Sequence, residues 1–212
     1  KVLFNELLQR QTDYEVPTTY YYSHIAYAEG KYQTALEGFR NISSNKMFKP
    51  IIPYYITQIL YQQNKYDELI SYAPSYMNSI TEKRKGEFAK LIADSYFMKK
   101  NFKTSLNYYK TFKKFAKSSR ESNYQVAFCY YKTKDLRKAI ELFSRVAYKE
   151  DSLSQICYYH MADSYLKLDE KDYARNAFQK ASKLGFDEEI KRNSLFNYAK
   201  LAYELSYNPY DE

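Results

Sequence analysis

The residues able to do chemistry are few and scattered. The two histidines, His24 and His160, lie far apart, whereas a metal site needs His, Cys or carboxylates clustered at short spacings such as i and i+4. His160 and Asp163 are i, i+3 neighbours. They form a two-ligand hint, and the plainer expectation is a pair on a helix surface. No Ser or Cys carries a flanking motif for nucleophilic catalysis. The four glycines, Gly30, Gly38, Gly86 and Gly185, never fall into a G-x-G or G-x-x-x-x-G-K spacing, so no phosphate or dinucleotide loop is present. Neither catalysis, nor a metal, nor a cofactor is expected. No run of 18 apolar residues exists, so no helix of this segment is expected to span a membrane.

What the sequence has in abundance is tyrosine: 27 of 212 residues, with 13 Phe and no Trp. A disordered chain would be poor in aromatics. Only 4 Gly and 5 Pro argue against all-β folds, which need frequent turns. The elements that hold the tyrosines emerge from self-similarity. Turn segments recur around Gly30, Asn64, Lys100, Lys134 and Asp169 at steps of 34, 36, 34 and 35. Each is flanked by about a dozen residues of helical periodicity on either side. Seven residues before each mark stands a small residue: Ser23, Thr57, Ala93, Ala127, Ala162. Five after it come Ala35, Leu69, Ser105, Ala139, Ala174, and nine after it Phe39, Ala73, Tyr109, Phe143, Phe178. Small holes facing large knobs are what packed helix ridges and grooves require. Pro74 sits inside one predicted helix and is expected to break it locally.

These residues resemble tetratricopeptide repeats. "SHIAYAEGKYQTALEGF", "VAFCYYKTKDLRKAIELF" and "MADSYLKLDEKDYARNAFQKA" are close to that family's pattern. The Trp often found early in the family's first helix is replaced by Thr19, Pro53, Ala89, Asn123 and Tyr158. The resemblance implies an all-α, right-handed solenoid of antiparallel helix pairs. Expected are repeats at 17–45, 50–79, 82–116, 119–148 and 152–184, with residues 1–10 as the second helix of a truncated repeat. Residues 188–212 begin another, with "NPYDE" leading toward a helix that does not follow. A fragment of a longer bacterial array is therefore expected. In this frame Cys129 and Cys157 fall seven residues apart in height on consecutive first helices, about 10 Å of helical rise. They are expected as small buried hydrophobes without a disulfide.

The resemblance also implies that first helices line a concave, peptide-binding surface. The residues projected there are Tyr20, His24, Tyr27, Tyr54, Gln58, Tyr61, Lys90, Asp94, Phe97, Tyr124, Phe128, Tyr131, Tyr159 and Asp163. Tyr suits such a surface because it combines apolar area, few rotatable bonds and one polar tip. Tyr96, Tyr130 and Tyr165 are expected to pack between repeats instead. Chaperone-tail readers of the family clamp a C-terminal carboxylate with Lys or Arg and Asn. Here Lys90 is the single cation at the matching places and it faces Asp94, so that clamp is absent. Residues 81–120 hold 12 Lys or Arg against Glu82, Glu87 and Asp94. The basic patch, Lys99, Lys100, Lys103, Lys110, Lys113, Lys114 and Lys117, offers a second surface, for an acidic protein, anionic lipid or nucleic acid. Nucleic acid is the least favoured, since no reading motif accompanies the patch. The expected function is a non-enzymatic scaffold for a protein or peptide. Regulation through the basic third repeat, or self-association through the cut ends, are the alternatives. A periplasmic or envelope location is expected, with the cytoplasm as the competing one.

Overall fold

The computed structural model describes residues 14–206. Among these are eleven α-helices and no strand. The chain divides into two compact segments, meeting at Lys117 and Ser118. The first contains α1 (Glu15–Ala28), α2 (Tyr32–Asn41), α3 (Ile52–Gln62), α4 (Tyr66–Tyr72), α5 (Glu82–Met98) and α6 (Phe102–Phe115). The second contains α7 (Arg120–Lys132), α8 (Leu136–Val146), α9 (Ser152–Lys167), α10 (Lys171–Lys183) and α11 (Glu188–Ser206). Consecutive helices pack as pairs, most extensively α5 on α6 in the first segment and α10 on both α9 and α11 in the second. The expected helix at 1–10 and the "NPYDE" string lie outside the described residues.

One turn closes five of the helix pairs. Gly30, Asn64, Lys100, Lys134 and Asp169 all have positive φ, between 56° and 74°. At each, the next residue's N–H reaches back to a carbonyl five positions earlier: Lys31 to Ala26 (2.8 Å), Lys65 to Leu60 (2.9 Å), Asn101 to Tyr96 (2.9 Å), Asp135 to Tyr130 (3.0 Å), Glu170 to Tyr165 (2.9 Å). This is the Schellman closure, which satisfies carbonyls left over at a helix end. The residue after the mark is then the N-cap of the next helix. Asn101 and Asp135 cap α6 and α8 with their side chains, accepting from Thr104 and Lys138 N–H. Only Gly adopts the left-handed conformation freely. Replacing Lys100 or Lys134 by Gly is therefore expected to stabilise the fold by about 0.5–1 kcal/mol each. Urea denaturation checks this, and a loss of stability would show that the lysine side chains contribute more than the strain removes.

The periodic slots fill the core. All five small residues before the marks and all five residues at mark plus five are completely buried, as are Phe39, Ala73, Tyr109 and Phe143 of the knob slot. A further slot, fourteen before the mark, brings the start of a first helix against the end of its partner. There Gly86 lets the chains close, since a Cβ would lie 2.8 Å from the Ala116 Cβ. Arg120 Nε instead donates to the Val146 carbonyl (2.8 Å) and Gln155 Nε2 to that of Leu184 (2.6 Å). Pro74 breaks the fourth helix as expected. α4 ends at Tyr72 and a 3-10 turn, Ala73–Tyr76, follows. α1 begins two residues before Pro17, because a first-turn residue needs no N–H for the helix.

Candidate functional site

Aromatic residues on the first helices form two separate cups of the same design. In the first segment, Tyr20, His24 and Tyr27 follow one another up a face of α1. With Phe39 of α2 they surround Tyr55 of α3. The ring centroids of Tyr20, His24, Tyr27 and Phe39 lie 6.4, 5.1, 5.7 and 5.1 Å from that of Tyr55. His24 Nε2 is 3.1 Å from the Tyr55 hydroxyl. Arg84 of α5 covers Tyr54 and Tyr55 from the other side, 4.7 and 4.9 Å above their rings. It donates to the Tyr55 hydroxyl (3.2 Å), while its Nη1 is buried without a partner.

The polar tips of this face bond to one another. Tyr27 donates to Gln58 Oε1 (3.0 Å), and Gln58 Nε2 donates to the Tyr54 hydroxyl (2.8 Å) and to Glu87 Oε1 (3.2 Å). Tyr54 in turn donates to the exposed Glu87 carboxylate. Burial pushes the Tyr20 and Tyr61 hydroxyls up to about 12. Tyr54 is raised too, first by burial and then by its hydrogen bond to Glu87. These groups stay protonated donors at any ordinary pH.

In the second segment, Tyr124, Phe128 and Tyr131 of α7 and Phe143 of α8 surround His160 of α9. Their centroids are 6.4, 5.2, 5.1 and 5.5 Å from the imidazole. Burial lowers the His160 pKa to about 4, so the ring is neutral near pH 7 and packs as an aromatic. Its Nδ1 is buried without a partner. Tyr131 donates to Asp163 (2.7 Å), and Lys167 bonds both Asp163 (2.5 Å) and the Tyr131 hydroxyl (2.8 Å). Two ammonium groups lie over the Tyr131 ring, Lys132 at 5.3 Å and Lys167 at 4.4 Å. Beside it opens a cleft of about 470 Å³ lined by Tyr131, Lys132, Lys134, Leu136 and Lys167. Lys132 and Lys134 form no ion pair among the described residues.

Several sequence expectations change. Asp94 does not line an open face. It is buried (3% exposed), accepting from Tyr109 (2.5 Å) and Lys90 (2.6 Å). Tyr54 is buried as well. Tyr20, His24, Tyr27, Gln58, Tyr61, Lys90, Phe97, Tyr124, Phe128, Tyr131, Tyr159 and Asp163 are half-buried. Thus the cup residues pack against the next repeat with one side and face outward with the other. His160 and Asp163 are not a surface pair, since the imidazole is enclosed by rings. Tyr96 and Tyr165 also stack on Tyr108 and Tyr173 of their own partner helices, at 5.7 and 5.3 Å, and Tyr96 packs against the core cluster that contains Leu69 and Ala73 of the preceding repeat. Cys129 and Cys157 are fully buried; burial pushes the Cys157 thiol up to about 12. Among the described residues no three His, Cys, Asp or Glu converge as a metal site would need. In the basic patch, Lys99 is paired with Asp67 (2.8 Å). Lys100, Lys103, Lys110, Lys113, Lys114 and Lys117 are exposed.

Tyr55, Arg84 and Glu87 were not anticipated. Tyr55 and His160 share a slot, nine residues before the turn mark. The recurrence of a large ring there was the available signal.

Helix pairs closed by such turns are the fold of tetratricopeptide repeats. The comparisons agree. Residues 98–181 match the family model for the anaphase-promoting complex, cyclosome, subunit 3. The chain superposes on YrrB, a TPR protein with an unusual peptide-binding site, with a TM-score of 0.74 and 13% identity. That match covers 90% of this chain and 96% of YrrB. MamA from Desulfovibrio magneticus RS-1 matches with a TM-score of 0.62 and 15% identity, over 80% of this chain and 94% of its own. A tetratricopeptide repeat protein from Parabacteroides merdae matches with a TM-score of 0.56 and 12% identity, over 92% and 90%. No curated protein matches in sequence. The chain has the tetratricopeptide-repeat fold, an all-α solenoid of helix pairs. No helix among the described residues is long and apolar enough to cross a membrane.

Proposed function

We propose that the chain is a non-enzymatic scaffold that binds a peptide segment on the aromatic faces of its first helices. The observation that carries this reading is the cup around His160 together with the cleft beside Tyr131. Half-buried rings already held in place give apolar contact at little entropic cost. Lys132 and Lys134 select for a carboxylate next to an apolar or aromatic anchor. The arrangement suits an extended or helical peptide. That the structural neighbour YrrB has a peptide-binding site supports the same assignment.

The test is selection from a peptide library on the whole chain, followed by calorimetry with face variants. Tyr131→Ala is expected to weaken the selected acidic-aromatic peptides about tenfold or more. Lys132→Gln with Lys134→Gln should weaken acidic peptides and leave their amide analogues unchanged. If charge reversal at Lys110, Lys113 and Lys114 abolishes capture while Tyr124 and Tyr131 substitutions do nothing, the aromatic face is not the site.

A further inference from the structure

The structure redistributes the basic character of residues 81–120. Arg84 is stacked on tyrosine rings, while Lys90, Lys99 and Arg120 are held by Asp94, Asp67 and Asp151. What remains concentrates on α6, which contains no Asp or Glu. Lys103, Asn107, Lys110 and Lys114 follow one another at steps of four, three and four and are all exposed. They form one stripe about 16 Å long, and Lys117 extends it beyond the helix end. Lys103, Lys110, Lys114 and Lys117 form no ion pair among the described residues. At the same end Phe115 is 41% exposed, with the Lys85 ammonium 5.3 Å from its ring. Gly86 brings the start of α5 close enough for that contact.

We propose that this face docks on an anionic lipid surface. The stripe has no apolar side chain between its lysines, so an acidic helix laid along it would gain only exposed ion pairs, each worth little. α6 has no Arg to bind phosphates bidentately, and no series of exposed rings for bases to stack on. A charged bilayer requires neither. It attracts each ammonium within a Debye length through its surface potential. A phenyl ring with an ammonium group over it then has an interface to enter. The exposed carboxylates of α5 are Glu82, in its first turn, and Glu87.

Co-sedimentation of the 212-residue chain with phosphatidylcholine vesicles, with and without phosphatidylserine, tests the proposal. Binding is expected only to the phosphatidylserine vesicles, and it should fall steeply with added salt. Each lysine contributes roughly fivefold, so Lys103→Gln, Lys110→Gln and Lys114→Gln together should lower partitioning by about a hundredfold. Unchanged thermal unfolding would show that this triple variant is folded. Phe115→Ala should lower partitioning by about tenfold or less. Tyr131→Ala should leave vesicle binding intact, which separates this surface from the peptide face. Equal binding to neutral vesicles, an unaffected triple variant, or tighter binding to a DNA duplex or an acidic peptide at the same salt would overturn it.

Discussion

Asp94→Ala is expected to lower the unfolding free energy by about 3 kcal/mol. The carboxyl group is buried, accepting from Tyr109 (2.5 Å) and Lys90 (2.6 Å). Tyr109 is among the largest fully buried side chains, so loss of the acceptor removes a hydrogen bond made away from water. The Lys90 side chain is 35% exposed, so solvent compensates much of its lost ion pair and the effect stays at the lower end for a broken buried pair. Asp94→Asn keeps an acceptor for Tyr109 and should lose only about 1 kcal/mol. Chemical denaturation of both variants provides the check. Equal losses would mean that the charge, and not the acceptor, is what matters.

The second large effect belongs to Gln155, a fully buried amide in the first turn of α9. Its Nε2 donates to the carbonyls of Leu184 (2.6 Å) and Asp187 (3.1 Å), and its Oε1 accepts from the Asp187 N–H (2.8 Å). Asp187 in turn accepts from the N–H groups of Glu189 and Ile190, which start α11. One side chain thus fixes the whole connection from α10 to α11. Gln155→Ala should cost about 3 kcal/mol through unpaired backbone groups and a cavity. Gln155→Met fills the space but not the bonds, and should still cost about 2 kcal/mol. Amide hydrogen exchange should rise first at residues 184–190. If the methionine variant proves as stable as the parent, packing alone holds this connection.

These two positions also show where sequence reading stops. The turn marks and packing slots were legible because packing demands one residue type at each: small in the holes, large at the knobs. Asp94 was assigned to an open face by its spacing from Lys90. The overlooked signal was Tyr109, a hydroxyl in a knob slot held by Phe in three other repeats. A buried hydroxyl needs an acceptor, and Asp94 supplies it. The slot holding Gly86, Arg120 and Gln155 was not legible at all. One geometric need, closing a helix start against a helix end, is met there by an absent side chain, a guanidinium and an amide. The cups were half-legible. Ring spacing along α1 and α7 was visible, but not the insertion of Tyr55 and His160 from the following repeat.

The shared turn has a kinetic side as well. Each Schellman closure joins residues only five positions apart, and the helices it connects are immediate neighbours in sequence. Loop-closure entropy for such contacts is small, and chains dominated by short-range contacts cross their folding barrier quickly. Any of the five turns can therefore serve as a nucleus from which helix pairs zip outward.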